Sequence, residues 1–431
     1  MLLIYTHKIT PRFSYITKQI FTRILGIDII ATTKIEDFIK HSGAKITYTK
    51  QALQNEFFVR SNDLLFEQGI NDLEIKVGRW DTIPCFFNAG DRSNIPFDIF
   101  SASFYLLSRY EEYLPHVKDN YGRYPYEESI AFTNDFLQKP VVDIWAFKLL
   151  DSLKERFPDL EYKQRKYEYT SIIDVTTSHC YKYKGVIRSI AGALLDVASL
   201  RFNKPLQRIL VLINYKKDPY DNFSELIAKH KDFGIKSMFF FQYADYSTYD
   251  KNIPVNNNEF KYLIKSVADY SIVSLAGSYA SLSNKELLKE EKKRLSNVIN
   301  RTVNGIRIRY NKVNIPDSYR DLVAAEFTDD YTMGYRHQIG FRAGTCSPFY
   351  FYDISLEVQQ SIKVHPLAVN DYALLKYKKK EEIFNKINFL YTEVKNNNGN
   401  FITVFSNELL GEKHKINWKE MYYNILKNCN A

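Results

Sequence analysis

From about residue 166 onward, short apolar segments of strand length alternate with amphipathic helical stretches, and this alternation restricts the second half of the chain more than any other feature. Thr170–Val175 is β-branched and apolar and reads as a buried strand. A helix over Asn222–Phe233, with Phe223, Leu226, Ile227 and His230 on one face, leads to a strand Ser237–Gln242. Further pairs follow: a helix near Glu259–Ala268 and a strand Ser271–Leu275, then a helix Lys285–Asn300 and a strand Gly305–Tyr310. A helix near Ser318–Ala325, strands Gln338–Arg342 and Ser361–His365, a long helix Lys378–Lys395 and a strand Phe401–Phe405 complete the series. Strands separated by helices pair in parallel, so this half is an open doubly wound sheet or a βα barrel. His230, with no second histidine at ligand spacing, belongs to the core or a cap.

The 431 residues exceed one average domain and fit two, with a boundary near residue 165. Before it, helical spacing of Phe13, Ile16, Ile20, Phe21 and Ile24, strands over Asn55–Arg60 and Asp81–Phe87, a helical face of Phe97, Phe100, Phe104 and Leu107, and a helix Val141–Leu153 predict a separate α/β domain. The polar stretch Lys154–Lys166 is the expected linker. The four cysteines, Cys85, Cys180, Cys346 and Cys429, lie too far apart in sequence for a Cys-x-x-Cys metal or redox motif, which favours free thiols. The apolar run at the start, Met1–Ile4, is too short for a signal peptide, and the cytoplasm is the expected location. Val186–Leu200 is the longest apolar stretch; Arg188 and Asp196 interrupt it, so it is expected to be an amphipathic helix lying on the protein or on a membrane surface, not a membrane span. A net charge of +9, without a long basic block, reads first as a solvated exterior. Binding of nucleic acid by the basic, Tyr-rich surface is the weakest of the functional readings.

In βα architectures, chemistry gathers at the C-terminal ends of the strands. Those positions here are Asp174 to Thr177, Ala276 to Ser278, Arg307 and Arg309, Arg342 to Thr345, His365, Asp371, and Ser406 to Glu408. They supply a well-placed carboxylate, Asp174, with arginines and hydroxyls, and no close His/Asp cluster.

Several segments are similar to the polysaccharide deacetylases of the NodB-homology type, in the bacterial branch with an extra N-terminal domain. In the first half they are Tyr5-Thr-His-Lys-Ile-Thr, Asn55-Glu-Phe-Phe, Leu65-Phe-Glu-Gln-Gly-Ile-Asn-Asp, and Pro96-Phe-Asp-Ile-Phe through Ser108-Arg-Tyr-Glu-Glu-Tyr. In the second they are Lys217-Asp-Pro-Tyr-Asp, Ala244-Asp-Tyr-Ser-Thr-Tyr-Asp, Gly340-Phe-Arg-Ala-Gly-Thr and Pro348-Phe-Tyr-Phe-Tyr-Asp. The resemblance implies an N-terminal α/β accessory domain (1–165) followed by a distorted (β/α)7 barrel (166–431). It also implies metal-dependent removal of an acetyl group from an amino sugar, in which a divalent ion polarises the amide carbonyl and activates water while an acid protonates the departing amine.

Position by position, the resemblance assigns Asp174 as base, Arg342 as the group that orients it, and His365 and Asp371 as retained catalytic positions. Where the family has metal ligands and an acid, this chain has Thr176, Ala276 and Ser406, and Arg309 stands where a histidine is usual. Neutral Thr, Ala and Ser do not replace carboxylate and imidazole ligands. The expectation is therefore no metal and no cofactor, and a pseudoenzyme that binds carbohydrate or a partner in bacterial surface-polysaccharide metabolism. Ser278, Arg307, Arg309, Asn407 and Glu408 are the expected binding residues, and Arg309 favours an anion such as a sugar phosphate or uronate unless it pairs with Asp174 or a nearby Glu. The rival expectation is an active N-deacetylase that uses Asp174, Arg342, His365 and Asp371 with zinc or another divalent ion at a non-standard site; His179 and His337 are candidates for a relocated metal site unless they are surface loop histidines.

Overall fold

The structure, a computed structural model, describes residues 1–200, 203–412 and 414–430. Its first sheet has four parallel strands, β1 (Leu2–Thr6), β2 (Ile29–Thr32), β3 (Lys45–Thr49) and β4 (Phe57–Arg60), in the order β2-β1-β3-β4. β1 is buried along its whole length, as a parallel strand covered on both faces must be. The apolar spacing of Phe13 to Ile24 forms the helix Pro11–Thr17 and its wider-wound continuation Lys18–Ile24. Pro11 opens that helix, and Thr10 Oγ1 caps it by accepting from Phe13 N at 3.1 Å. The strand expected over 81–87 is one arm of a hairpin, β5 (Gly78–Trp80) and β6 (Ile83–Cys85). The helix Val141–Arg156 runs one turn further than its sequence pattern and buries Trp145, whose Nε1 donates to Pro84 O at 3.0 Å.

The second sheet has nine strands: β7 (Glu168–Val175), β8 (Lys236–Phe241), β9 (Ile272–Gly277), β10 (Gly305–Ile308), β11 (Asp329–Asp330), β12 (Phe349–Asp353), β13 (Val358–Val364), β14 (Val369–Asn370) and β15 (Asn400–Ser406). Their order is β12-β13-β11-β10-β9-β8-β7-β15-β14, and every pairing except β12 with β13 is parallel. This sheet is rolled. β13 stands second and β14 ninth in the order, which in a flat sheet would put them roughly 33 Å apart. The chain joins them with residues 365–368, which reach at most roughly 18 Å. The linker crosses the gap with hydrogen bonds to both sides: His365 N to Asp330 O at 2.8 Å, Leu367 N to Met333 O at 3.0 Å, and Ala368 N to Ile402 O at 3.1 Å.

The interior of the roll is filled by a small apolar cluster that includes Ile172, Met238, Phe240, Ala276, Tyr331 and Ile402. Outside it, a single hydrophobic cluster runs without a break from Leu2 to Cys429, so the two sheets share one core. All four cysteines are free, three of them buried.

The expected strand Gln338–Arg342 is a loop. Gly340 has φ +130°, and a Cβ there would stand 2.5 Å from Leu137 O, while Phe341 N donates to that same carbonyl at 2.7 Å. Its backbone is thus taken up by a loop of the N-terminal half. β12, the two-residue strands β11 and β14, and the helix Asn203–Leu212 are additions to the sequence reading. No helix among the described residues is long and apolar enough to cross a membrane.

Candidate functional site

Asp174 is the penultimate residue of β7, paired in register with Ser406 of β15 on one side and Phe240 of β8 on the other. The parallel register therefore brings the two family positions Asp174 and Ser406 side by side. Asp174 Oδ2 accepts from Arg307 Nε at 3.2 Å, while Oδ1 is buried with no hydrogen-bond partner among the described residues. Arg307 comes from β10 and is itself buried. Its Nη1 donates to Tyr331 O and its Nη2 to Asn311 Oδ1, both at 3.0 Å. Arg307, not Arg342, is the arginine that orients Asp174.

Arg342 lies elsewhere. It is buried and forked onto Glu112 of the N-terminal half, Nε to Oε1 at 2.9 Å and Nη2 to Oε2 at 2.6 Å. Arg109 binds the same carboxylate from Nε at 2.8 Å and Glu111 from Nη2 at 2.6 Å. Burial alone would raise the Glu112 carboxyl, but Arg342 and Arg109 outweigh it and hold the pKa below the usual value. A neighbouring carboxylate that satisfies both faces of the fork wins Arg342 from Asp174.

The substituted metal positions are each taken up by an internal partner. Thr176 Oγ1 donates to Glu408 Oε1 at 2.6 Å, Ser406 N and Oγ donate to Asp371 Oδ2 at 2.8 and 2.6 Å, and Ala276 sits in the apolar interior. His365 hydrogen-bonds Asp329 at 2.8 Å through Nε2 and stacks on Tyr331, with ring centroids 4.3 Å apart; Asp174 is not among its partners. Among the described residues no three His, Cys, Asp or Glu side chains converge in a group that could hold a metal ion. With the Arg307 guanidinium on Asp174, and Asp371 and Glu408 taken up by Ser406 and Thr176, the residues present do not fit the divalent ion of the deacetylase chemistry.

The other expected binding residues divide. Arg309 ion-pairs with buried Asp250 at 3.7 Å and donates to Gln242 Oε1, so it is matched by an acid, though by neither Asp174 nor a glutamate. Ser278 donates to Glu291 and Asn407 Nδ2 to Thr177 O and Tyr220 O, which makes both part of the framework. Glu408 is half-buried; desolvation lifts its pKa above the ordinary carboxyl value, partly opposed by Thr176, Arg309 and Lys184. Burial does the same for Asp371, against the hydrogen bonds from Ser406. His179 is buried against Tyr183 rather than on a surface loop, while His337 is exposed, with Nε2 3.1 Å from Arg123 Nη2. His230 is buried with its Nε2 on the Tyr422 hydroxyl at 2.5 Å, in the core as expected.

The residue that sequence reading misses is Arg336. Its guanidinium lies 3.9 Å from the centroid of Tyr372 and 5.2 Å from that of Tyr310, and it makes no hydrogen bond or ion pair among the described residues. Burial pulls its pKa down, countered by Asp371 and Asp174, the nearby acids whose charge it feels. Tyr310 and Asn311, just past the end of β10, both have left-handed backbone (φ 60° and 53°), a conformation unusual for a bulky Tyr and one that concentrates at functional sites. Beside them opens a cavity of about 370 Å³ whose walls include Tyr121, Arg123, Tyr126, Tyr335, Arg336 and His337. Asn311 lines this cavity and holds Arg307, linking it to Asp174. The signal for this wall was legible in the alternation of Tyr121, Arg123, Tyr124 and Tyr126, and in the Tyr-Arg-His run at 335–337.

Comparison with known proteins adds a family model for residues 2–158, described as a family of unknown function, DUF7033. No curated protein matches the chain. Among solved structures, the chain is similar to the polysaccharide deacetylase Bc1974 from Bacillus cereus (12% identity, TM-score 0.30, covering 61% of this chain and 88% of that one). It is also similar to a CE4 family pseudoenzyme from Bacillus anthracis (7%, 0.32, 61% and 60%) and to the PuuE allantoinase (10%, 0.39, 61% and 84%).

Proposed function

We propose that the chain is a carbohydrate-binding protein of the polysaccharide deacetylase type, taking an acidic or phosphorylated saccharide in bacterial surface-polysaccharide metabolism without metal-dependent hydrolysis. In this reading residues 166–431 are a distorted deacetylase barrel and residues 1–165 an accessory domain that supplies one wall of the site. The observation that carries the proposal is Arg336, a planar cation held between two tyrosine rings on a cavity wall, which feels the charge of Asp371 and Asp174 but makes no ion pair with a carboxylate among the described residues. A guanidinium in that state offers forked donors to a carboxylate or phosphate, and the tyrosine rings around it offer faces to sugar rings. Calorimetry with uronate-containing and neutral oligosaccharides tests it. The acidic series binds and Arg336→Ala abolishes that binding; equal affinity for both series refutes the reading.

One observation favours a second reading, an N-deacetylase with a non-standard site: the buried, unpartnered Oδ1 of Asp174 points to a missing ligand there. Bound zinc at one equivalent, lost in Asp174→Ala, establishes that reading against the first.

A further inference from the structure

The stretch after β7 leaves the body of the protein as two helices, Val186–Ala198 and Asn203–Leu212, and the first of them buries no residue. Their polarity is inverted relative to an ordinary surface helix, whose apolar stripe faces the protein. Ser189, Gly192, Ala193 and Asp196 recur at helical spacing and are the half-buried positions, whereas Ile187, Ile190 and Leu194 on the other side are 84%, 58% and 66% exposed. The second helix repeats the arrangement. Arg208 points inward and ion-pairs with Asp196 at 2.8 Å, both little exposed, while Leu206, Ile209 and Ile213 are 60%, 56% and 64% exposed. Gly192 permits the approach, since a Cβ there would stand 2.7 Å from Arg208 Nη2. Thus the ion pair is inside and the leucines and isoleucines are outside.

The base of this hairpin is fastened to the body. Asp218 accepts from the backbone N of Cys180, Tyr181 and Lys182 at 2.7, 2.8 and 3.1 Å, and Val211 is fully buried. Arg188 donates to Asn252 O at 3.2 Å and lies on the Tyr246 ring at 4.4 Å, which ties the first helix to the loop after β8. The hairpin therefore projects from the strand-end side of the rolled sheet, where Asp174 lies.

Charge identifies what covers the apolar face. Residues 182–217 hold eight Lys or Arg and a single acid, Asp196, so this short stretch carries +7 of the chain's +9. Of these cations Lys204, Lys216 and Lys217 are exposed, and an exposed apolar face flanked by lysines is the composition that lies in the interface of an anionic bilayer, apolar side chains among the acyl chains and cations among the headgroups. We infer that the hairpin 186–213 is a membrane-surface anchor for anionic lipid, seating the strand-end face of the protein against the bilayer. This goes beyond the saccharide reading and does not depend on it. A second copy of the chain on the same face would bring +7 against +7, which disfavours a symmetric dimer there.

Co-sedimentation of the full chain with vesicles tests the inference, using equal parts phosphatidylglycerol and phosphatidylcholine against phosphatidylcholine alone. The chain pellets with the acidic vesicles at about 0.1 M salt and much less at about 1 M, where charge is screened. The variant Ile187→Ser/Ile190→Ser/Leu194→Ser keeps its circular dichroism and melting temperature, since these side chains are exposed, and its bound fraction falls at least about tenfold. Should that variant fail to fold, Lys204→Glu/Lys216→Glu/Lys217→Glu, which leaves the apolar face intact, must lose the preference for acidic vesicles. Absence of binding to acidic vesicles overturns the inference. So does undiminished binding by either variant, or a wild-type dimer in sedimentation velocity that the serine variant converts to monomer.

Discussion

Arg342 and Arg336 both line the cavity between the two halves, yet the chain treats them in opposite ways. Arg342 is fully buried, and Glu112 satisfies its fork while Arg109 completes the network from the other side. Arg336 is half-buried, faced by two aromatic rings, and ion-paired to no carboxylate among the described residues. A charge removed from water without a partner costs several kcal/mol, so a folded chain either matches it internally or leaves it within reach of solvent and ligands. The first solution is structural and the second is what a binding site looks like before its ligand arrives. The arginine expected to act is the one that holds the fold together.

That contrast can be broken most forcefully at Glu112. Glu112→Ala leaves two buried guanidiniums without their shared partner, and chemical denaturation should show a loss of about 3–5 kcal/mol; a loss below about 1 kcal/mol would mean that the network is not structural. Arg307→Ala, which removes donors from Asp174, Tyr331 and Asn311, should cost about 1–3 kcal/mol in the same experiment.

A titration sharpens the distinction between framework and site at Glu291, which is buried under Ser278 and whose pKa burial lifts to about 7. A carboxyl with a raised folded-state pKa binds its proton more tightly in the folded than in the unfolded chain. Its contribution is therefore complete below the unfolded value near 4.5 and is lost as the pH rises through about 7. Melting temperatures measured from pH 5 to pH 8 should fall, and Glu291→Gln should flatten that fall; a slope that is unchanged in the variant removes Glu291 as its source. Smallest of all is the effect of Arg336→Ala on stability, about 1 kcal/mol or less from two cation–π contacts, even though in the proposed reading the same variant should lose acidic saccharide. A large destabilisation would return Arg336 to the same class as Arg342.

The fold was legible where apolar periodicity was strong. The strand expected over Ser237–Gln242 is Lys236–Phe241, and the helix expected over Lys285–Asn300 is Lys285–Ile299. It was not legible where tertiary partners define the element. β11 and β14 are only two residues each and exist because neighbouring strands bond them, and Gln338–Arg342 has strand-like composition but gives its backbone to Leu137. The site divided in the same way. Register alone makes Asp174 and Ser406 neighbours once β7 and β15 are recognised as parallel strands. By contrast, the choice between Arg307 and Arg342 as partner of Asp174 turns on Glu112, more than sixty residues earlier in the chain, which no local pattern connects to either. Arg336 stands in a legible Tyr-Arg-His run at 335–337, but no local pattern shows that its guanidinium finds no ion-pair partner among the described residues.

The pairing of β7 with β15 also orders events in time. Asp174 meets Ser406 only after the chain between them exists, and at about 5–20 residues per second that interval lasts roughly 10–45 s during synthesis. Until then β7 lacks its partner on that side, while the exposed helices Val186–Ala198 and Asn203–Leu212 are synthesised early in the interval. The apolar, basic helices thus precede in synthesis the strand that completes the surroundings of Asp174.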